Sequence, residues 1–249
     1  MYSEFIDAIL TSELRTKSSD HKVLDVGCGS GQYVFALSQK GYDAFGTDVE
    51  FKPGAHLERL IQEGKLKKIE AVSRKDITET NANYLWPFED SSFDSVASRA
   101  VVEHVKNMDE FVAENRRVIR ANGYSIHYFP SMYSLIEPHV GVPLGGFITS
   151  RSYFRLCCNM GLCYKKYKGS SLKAHNYVKE FTEYRKVSEI IKAFESGGFE
   201  YYGNYTNYLL KYYKKGKYSF IGKSKFLLWL FRLFRSNIVV FKACITNKK

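Results

Sequence analysis

Apolar positions along this chain alternate between two spacings, one of two residues and one of three to four residues. The shorter spacing is typical of a β-strand, and the longer one is typical of an amphipathic helix. The pattern predicts strands over residues 22–27, 43–48, 67–72, 93–98, 124–129, 199–210 and 238–246. It predicts helices over residues 2–16, 31–40, 55–63, 109–120 and 184–196. This alternation favours an α/β fold, in which a mostly parallel sheet carries helices on both faces.

The size and composition of the chain favour a single globular unit. It has 249 residues, of which 45% are hydrophobic, and that fraction can build a sizeable core. We therefore expect one domain over residues 1–249. Residues 1–15 mix charged and apolar side chains at helical spacing, so no cleavable signal peptide is expected.

The cysteines indicate a reducing compartment. There are five of them, an odd number, and Cys157, Cys158 and Cys163 form a cluster. The cluster lacks a paired C-x-x-C and has no histidine at ligand spacing, so it predicts buried thiols and no metal site. A cytoplasmic location is the expectation that follows.

The most specific local signal is the run Val-Leu-Asp-Val-Gly-Cys-Gly-Ser-Gly at residues 23–31. Its alternate glycines let the backbone pass close to a ligand before a helix begins. Their spacing, G-x-G-x-G, differs from the G-x-G-x-x-G that binds a dinucleotide pyrophosphate. Asp25 precedes the first glycine, where it would repel a pyrophosphate but attract the ammonium of a cofactor with an amino-acid tail. The run therefore favours S-adenosylmethionine.

Four further motifs follow the glycine run in order. Asp48 ends the second predicted strand, and Asp76-Ile77 lies after the third. Residues 87–96 lead into the fourth predicted strand, and the sequence Val-Val-Glu-His-Val at 101–105 follows it. Each motif alone has a structural explanation, since Asp48, for example, also suits a helix N-cap. Together, over about residues 20–130, the five motifs resemble the class I S-adenosylmethionine-dependent methyltransferases.

This resemblance implies a fold, a cofactor and a set of binding residues. The fold would be Rossmann-like, with a mostly parallel seven-stranded sheet whose last strand is antiparallel. Asp48 would accept hydrogen bonds from the ribose hydroxyls, Asp76 and Ile77 would contact the adenine, and the product would be S-adenosylhomocysteine. The cofactor-binding residues expected from the resemblance are Asp25, Gly27, Cys28, Gly29, Gly31, Asp48, Val49, Asp76, Ile77 and Arg99.

The substrate side should follow the fifth predicted strand, because ligands of open α/β sheets bind outside the carboxyl ends of the strands. We expect residues 130–180 to form this elaboration. Within it, residues 130–143 carry three prolines and one glycine among aromatic residues, which predicts an ordered loop. The loop resembles a segment of methyltransferases associated with surface polysaccharide synthesis. That resemblance implies O-methylation of a saccharide or a lipid-linked saccharide.

Methyl transfer to a hydroxyl needs a group that removes the hydroxyl proton, and histidine is the usual candidate. His139 is the first candidate, with Glu137 or Glu103 to orient it; His104 is the second and His175 the third. A loop histidine beside a proline also suits a turn cap, and His104 also suits a bond to a backbone carbonyl. The predicted catalytic residues are therefore His139, His104 and Glu137, without a metal.

Charge is distributed unevenly along the chain. Residues 211–249 hold 11 of the 37 Lys and Arg and none of the 26 Asp and Glu, so the entire net charge of +11 lies there. We expect residues 211–236 to form a basic amphipathic insertion before the last strand. As a helix, residues 223–235 would gather basic side chains on one side and an apolar face with Trp229 on the other.

Such a helix suits anionic lipid at the inner membrane face, and its apolar run is far shorter than the roughly 20 residues that span a bilayer. Packing of its aromatic side chains on the sheet, or on a second subunit in a homo-oligomer, is an equal alternative. Binding of nucleic acid is disfavoured, because residues 1–210 carry no net charge.

Two other functions stay open at this point. A small lipid-like acceptor, such as a quinone precursor, would fit the apolar tail as well as a saccharide does. A non-catalytic module that binds the cofactor and recruits another enzyme would keep the same motifs.

Overall fold

The computed structural model describes residues 2–15, 18–69, 85–212 and 216–244. Seven strands of these residues form one sheet: β1 (Lys22–Val26), β2 (Asp43–Asp48), β3 (Leu66–Lys68), β4 (Phe93–Arg99), β5 (Ile119–Pro130), β6 (Phe199–Asn204) and β7 (Ser236–Ala243). Their order across the sheet is β3-β2-β1-β4-β5-β7-β6. β7 runs antiparallel to both of its neighbours, and the remaining pairs are parallel. The predicted fold class is confirmed, including the antiparallel last strand.

The described residues also form ten α-helices around the sheet. They are α1 (Tyr2–Ala8), α2 (Gln32–Ser38), α3 (Leu57–Gln62), α4 (Met108–Val118), α5 (Arg151–Asn159), α6 (Ser171–Phe181), α7 (Val187–Ser196), α8 (Thr206–Tyr212), α9 (Ser219–Lys223) and α10 (Lys225–Phe234). A π-helical turn, Ile9–Glu13, extends α1. The predicted helix over residues 2–16 is therefore present as two segments of different hydrogen-bond pattern.

Apolar side chains cover both faces of the sheet. On one face, Phe111 of α4 and Phe194 of α7 pack in a cluster with Phe241 of β7. On the other face, Phe5 of α1 and Val34 of α2 pack in a second cluster. Helices on both faces therefore bury side chains on both sides of the central strands.

One strand prediction is wrong. Residues 199–210 were expected to form one strand, but β6 ends at Asn204 and α8 begins at Thr206. The Oδ1 of Asn204 accepts hydrogen bonds from the backbone N–H (3.2 Å) and the hydroxyl (2.6 Å) of Thr206. A side chain that bonds the backbone two residues ahead interrupts a strand and starts a helix. The apolar residues after this point belong to a helix face, which a short run cannot distinguish from a strand.

The segment after β5 contains two helices that the spacing of apolar residues does not indicate. α5 and α6 pack on each other around Phe154, and three cysteines are buried with them. These are Cys157, Cys158 and Cys163, so the prediction of buried thiols is confirmed. Residues 130–143 contain no helix, as their three prolines and one glycine predict.

A polar network lies inside the core beneath β4 and β5. His127 is fully buried, its Nδ1 lies 2.7 Å from the hydroxyl of Ser98, and its Nε2 lies 2.6 Å from the hydroxyl of Ser125. The same Ser125 hydroxyl donates to Oδ1 of Asn115. Burial lowers the pKa of His127 to about 3 because a low-dielectric site disfavours the charged imidazole.

This burial predicts a specific loss of stability in acid. The unfolded chain takes up a proton on His127 below pH 6.5, its ordinary pKa, and the folded chain does not until about pH 3. The free energy of unfolding should therefore fall by about 1.4 kcal/mol per pH unit more in the wild type than in His127→Asn, between pH 6 and 4. Urea unfolding across this range measures both curves. Parallel curves would contradict a neutral buried His127.

Candidate active site

The turn after β1 depends on glycine at two positions. Gly27 has φ +74° and Gly31 has φ +72°, in the left-handed region that favours glycine. A Cβ on Gly27 would lie 2.3 Å from Cγ2 of Val101, and one on Gly31 would lie 2.8 Å from Cδ1 of Leu66. The chain can therefore turn tightly from β1 into α2 only with its backbone bare on these sides.

Asp25 is a buried carboxylate with an unsatisfied atom. Its residue is 2% exposed, and its Oδ2 has no hydrogen-bond partner among the described residues. Burial, reinforced by the negative charge of Asp48, raises the pKa of Asp25 to about 8. A buried acceptor without a donor costs free energy that a cationic ligand group can recover.

Asp48 ties the end of β2 to the glycine turn. Its Oδ2 accepts a hydrogen bond of 2.7 Å from the backbone N–H of Gly29, and its Oδ1 accepts one of 3.2 Å from that of Glu50. Each carboxylate oxygen has a second lone pair. Asp48 can therefore hold the turn in place and still accept hydrogen bonds from two hydroxyls of a ligand.

A cavity of about 460 Å³ lies at the carboxyl ends of β1, β2 and β4. The predicted site residues that line it are Asp25, Gly27, Cys28, Gly29, Asp48, Val49, Arg99 and His104. Gly31 instead forms the N-cap of α2 and does not line it. Asp76 and Ile77 lie outside the described residues, so their predicted contact with adenine stays a prediction.

Sequence reasoning missed several aromatic residues at this cavity. Arg99 donates a hydrogen bond to the hydroxyl of Tyr33 and lies 5.2 Å from its ring centroid. Tyr2 does not line the cavity but lies near Asp25, and burial together with the Asp25 charge raises the pKa of its hydroxyl. Tyr177 and Phe181 of α6 also line the cavity. Their i, i+4 spacing is the one signal that marks a shared helix face.

Glu137 organises the loop that follows β5. Its carboxylate is fully buried and accepts hydrogen bonds from the backbone N–H groups of His139 (2.8 Å) and Val140 (2.6 Å). It also accepts bonds from the Nδ1–H of His139 (2.7 Å) and the hydroxyl of Tyr184 (2.6 Å). Burial raises the pKa of Glu137, but these hydrogen bonds outweigh it and leave the pKa lowered. The expected contact between Glu137 and His139 is thus present.

His104 and His139 lie beside each other, with their ring centroids 4.8 Å apart. The Nδ1–H of His104 donates to the carbonyl oxygen of Phe181 at 2.5 Å, so the expected bond to a carbonyl is also present. Only His104 of this pair lines the cavity, while His139 lies behind it, against Tyr177. The sequence ranks His139 before His104 as the candidate base, whereas of the two only His104 lines the cavity.

Glu103 is the third buried carboxylate of the site. It is 3% exposed, and neither carboxylate oxygen has a hydrogen-bond partner among the described residues. Burial raises its pKa to about 7. The third candidate histidine, His175, bonds the carbonyl oxygen of Thr149 at 3.1 Å and does not line the cavity.

Helix α10 carries an exposed apolar face. Phe226 and Trp229 are 65% and 56% exposed, whereas Phe231 packs against the core cluster that contains α1 and α2. Packing against the core thus accounts for Phe231 and leaves Phe226 and Trp229 largely exposed. Within the part of the chain that the structure describes, no helix has the length and hydrophobicity to cross a membrane.

The sequence of this chain is similar to those of known methyltransferases. A family profile described as a methyltransferase domain matches residues 24–127. The uncharacterized methyltransferase YcgJ of Bacillus subtilis is 30% identical over 125 residues, which are 49% of this chain and 46% of that protein. A ubiquinone biosynthesis O-methyltransferase of Saccharophagus degradans is 27% identical over 109 residues, 44% of this chain and 43% of that protein.

A ubiquinone/menaquinone biosynthesis C-methyltransferase, UbiE, of Brucella abortus is 26% identical over 212 residues, 83% of this chain and 72% of that protein. The chain spans about half the length of the first curated relatives it matches.

A solved S-adenosylmethionine dependent methyltransferase from Mesorhizobium loti shares the fold. Its TM-score is 0.53 at 12% sequence identity, over 96% of this chain and 99% of that one. The profile match covers the glycine turn, Asp48 and the Glu103-His104 segment, which also form or adjoin the cavity. Residues 24–127 of this chain therefore match a methyltransferase domain, in agreement with the resemblance of the sequence to the class I S-adenosylmethionine-dependent methyltransferases.

Proposed function

We propose that this protein transfers a methyl group from S-adenosylmethionine to an amphiphilic, lipid-like acceptor and releases S-adenosylhomocysteine. One observation carries the proposal: a single cavity joins the buried carboxylate of Asp25, whose Oδ2 has no hydrogen-bond partner among the described residues, to the imidazole of His104. The carboxylate is suited to bind a cationic group of the cofactor, and the imidazole is suited to accept a proton from the methyl acceptor. The two groups that a methyl transfer needs from a protein thus face the same space.

The residues of the cavity fit the cofactor group by group. The unpaired Oδ2 of Asp25 suits the ammonium of the methionine tail, and Arg99 offers a cation to its carboxylate. Asp48 offers lone pairs to the ribose hydroxyls. S-adenosylmethionine supplies an electrophilic methyl group on a sulfonium, so the chain itself has to orient the acceptor and remove its proton.

The predicted catalytic residues form a connected unit at the acceptor end. Glu137 holds His139 by its Nδ1–H, and His139 in turn packs against His104, which lines the cavity. We assign the reception of the acceptor proton to this pair of imidazoles, with Glu137 as the positioning residue. The methylated atom is proposed to be oxygen, although the relatives include both O- and C-methyltransferases.

Two observations favour a lipid-like acceptor. The cavity wall near His104 is aromatic, with Phe111, Tyr177 and Phe181. Curated relatives carry the names of ubiquinone and menaquinone biosynthesis methyltransferases, and these names support the quinone-precursor alternative. A saccharide acceptor, the first expectation from residues 130–143, stays possible only as a lipid-linked saccharide in this proposal.

The exposed face of α10 supports delivery of such an acceptor from a membrane. Phe226 and Trp229 are uncovered, and the surrounding tail has basic residues and no acidic ones. An amphipathic helix with basic flanks lies in the plane of an anionic lipid surface. We therefore propose peripheral contact with anionic membrane through residues 211–236.

The first prediction concerns cofactor affinity. Asp25→Asn should weaken binding of S-adenosylhomocysteine by about 10–100-fold, because a hydrogen bond to a charged group contributes about 1.5–3 kcal/mol. Asp109→Asn, an exposed carboxylate in the first turn of α4, is the matched control and should leave affinity unchanged. Isothermal titration calorimetry measures both. Equal affinity of all three proteins would contradict the role of Asp25.

The raised pKa of Asp25 adds a pH dependence of known sign. The ammonium needs the ionised carboxylate, and free Asp25 is protonated below about pH 8. Affinity of the wild type should therefore fall about tenfold per pH unit from pH 7.5 to 6, while that of Asp25→Asn stays level. Calorimetry at a series of pH values tests this, and parallel curves would count against it.

The second prediction concerns turnover. His104→Ala and His139→Ala should each lower kcat by about 10²–10⁴-fold and leave the affinity for S-adenosylhomocysteine unchanged, because general base catalysis contributes that much. His175→Ala should keep the wild-type rate, since His175 lies outside the cavity lining. The assay measures the S-adenosylhomocysteine that is released when S-adenosylmethionine and a membrane lipid extract are supplied to the protein. Cofactor binding without any release, from lipid or glycan extracts, would favour the non-catalytic recruitment module instead.

The third prediction concerns the membrane. Phe226→Glu with Trp229→Glu should reduce flotation with vesicles that contain anionic phosphatidylglycerol by more than about tenfold, because each buried aromatic contributes about 1.5–3 kcal/mol. Leu156→Glu changes an equally exposed apolar residue of α5 and should float like the wild type. If the double variant floats as well as the wild type, α10 does not bind lipid. Loss of self-association in that variant would instead identify a subunit interface.

A further inference from the structure

The carboxylate of Glu103 has no counterpart in the methyl-transfer scheme above. It is nine-tenths buried or more, and both of its oxygens lack a hydrogen-bond partner among the described residues. Buried carboxylates are normally paired with donors, cations or metals. An acid with two unpaired oxygens in the interior therefore points to a missing positive ligand.

Two imidazoles beside Glu103 are held in the way that metal-binding histidines are held. The Nδ1–H of His104 donates to the carbonyl oxygen of Phe181, and the Nδ1–H of His139 donates to the carboxylate of Glu137. A ligating histidine nearly always donates its second ring N–H to a carbonyl or carboxylate, which fixes the tautomer and the ring orientation. In both rings this arrangement leaves the lone pair on Nε2.

We propose that Glu103, His104 and His139 bind one divalent transition-metal ion. One ligand atom from each residue lies within 4.8 Å of the other two, and this is the one such group of three found among the described residues. Two imidazole nitrogens and a carboxylate are the protein ligands of catalytic zinc sites. Bonds of about 2.1 Å would draw the three side chains together by about an ångström.

Three protein ligands leave at least one coordination position for another oxygen. His104 lines the cofactor cavity, so this position is accessible from the cavity side. The proposal that this site binds an ion does not depend on the proposed function, whereas the role of the ion rests on it. In that role the ion would hold the acceptor oxygen and lower the pKa of its hydroxyl, a Lewis acid effect. Because both Nε2 lone pairs would then bind the ion, the two imidazoles would act as its ligands, and water would take the acceptor proton in their place. Glu137 and Tyr184 would then support the site through His139.

Titration of the metal-stripped full-length protein with Zn²⁺ tests the site without any acceptor. We expect one saturable ion per chain by calorimetry, and a visible absorption spectrum when Co²⁺ replaces Zn²⁺. Glu103→Gln and His139→Asn should each weaken binding by about 100-fold or more, and Glu137→Gln, which changes only the outer contact, by about tenfold.

Two controls separate this site from other ligands. His56→Asn changes a histidine that stacks on Phe35 and should leave Zn²⁺ affinity unchanged. Cys158→Ser removes a thiol of the cysteine cluster and should also leave it unchanged. Absence of saturable binding would overturn the proposal, and so would binding lost in Cys158→Ser but kept in Glu103→Gln. Because S-adenosylhomocysteine affinity is measured separately, failure of the metal site is distinguishable from failure of the proposed function.

Discussion

The burial of Asp25 without a hydrogen-bond partner for one of its oxygens is the constraint on which the site depends. β1 pairs in parallel with β2 and β4, so its carboxyl end lies in the middle of the sheet with helices on both faces. A charge at that position loses most of its hydration, and the carboxyl responds with a pKa of about 8. Burial of the Asp25 carboxylate thus costs free energy that a cationic ligand can recover. The glycine turn lets such a ligand approach Asp25 closely.

Glu103 is another buried acid, and it lies next to a residue that lines this cavity. Glu103 follows β4 directly in a short 3-10 turn, Val102–His104, and its neighbour His104 faces the cavity. Asp25 and Glu103 are the two acids with buried, unpaired carboxylate oxygens among the described residues, and buried carboxylates are normally paired. We have proposed a different ligand for each, a cofactor ammonium at Asp25 and a metal ion at Glu103.

The basic tail is connected to the acceptor side through backbone hydrogen bonds. The N–H of Ser131 donates to the carbonyl oxygen of Arg235, and that of Leu135 donates to the carbonyl oxygen of Phe234. The end of α10 is therefore tied to the beginning of the loop that holds Glu137 and His139. A surface that contacts lipid through Phe226 and Trp229 would lie next to the segment that presents the acceptor. These two hydrogen bonds therefore link the basic tail to the loop that is proposed to act on the acceptor.

The sequence by itself determined the fold class, the antiparallel last strand through a family resemblance, and most of the cofactor side. Asp25, the glycine turn and Asp48 depend on short, contiguous motifs, because a strand followed by a turn fixes the backbone locally. Short apolar runs do not distinguish a strand from a helix, so β6 was expected to continue where α8 begins. The acceptor side was decided only by tertiary structure. Glu103 and His139 come together because Glu137 and Phe181 orient two distant histidines, and no spacing along the chain encodes that contact.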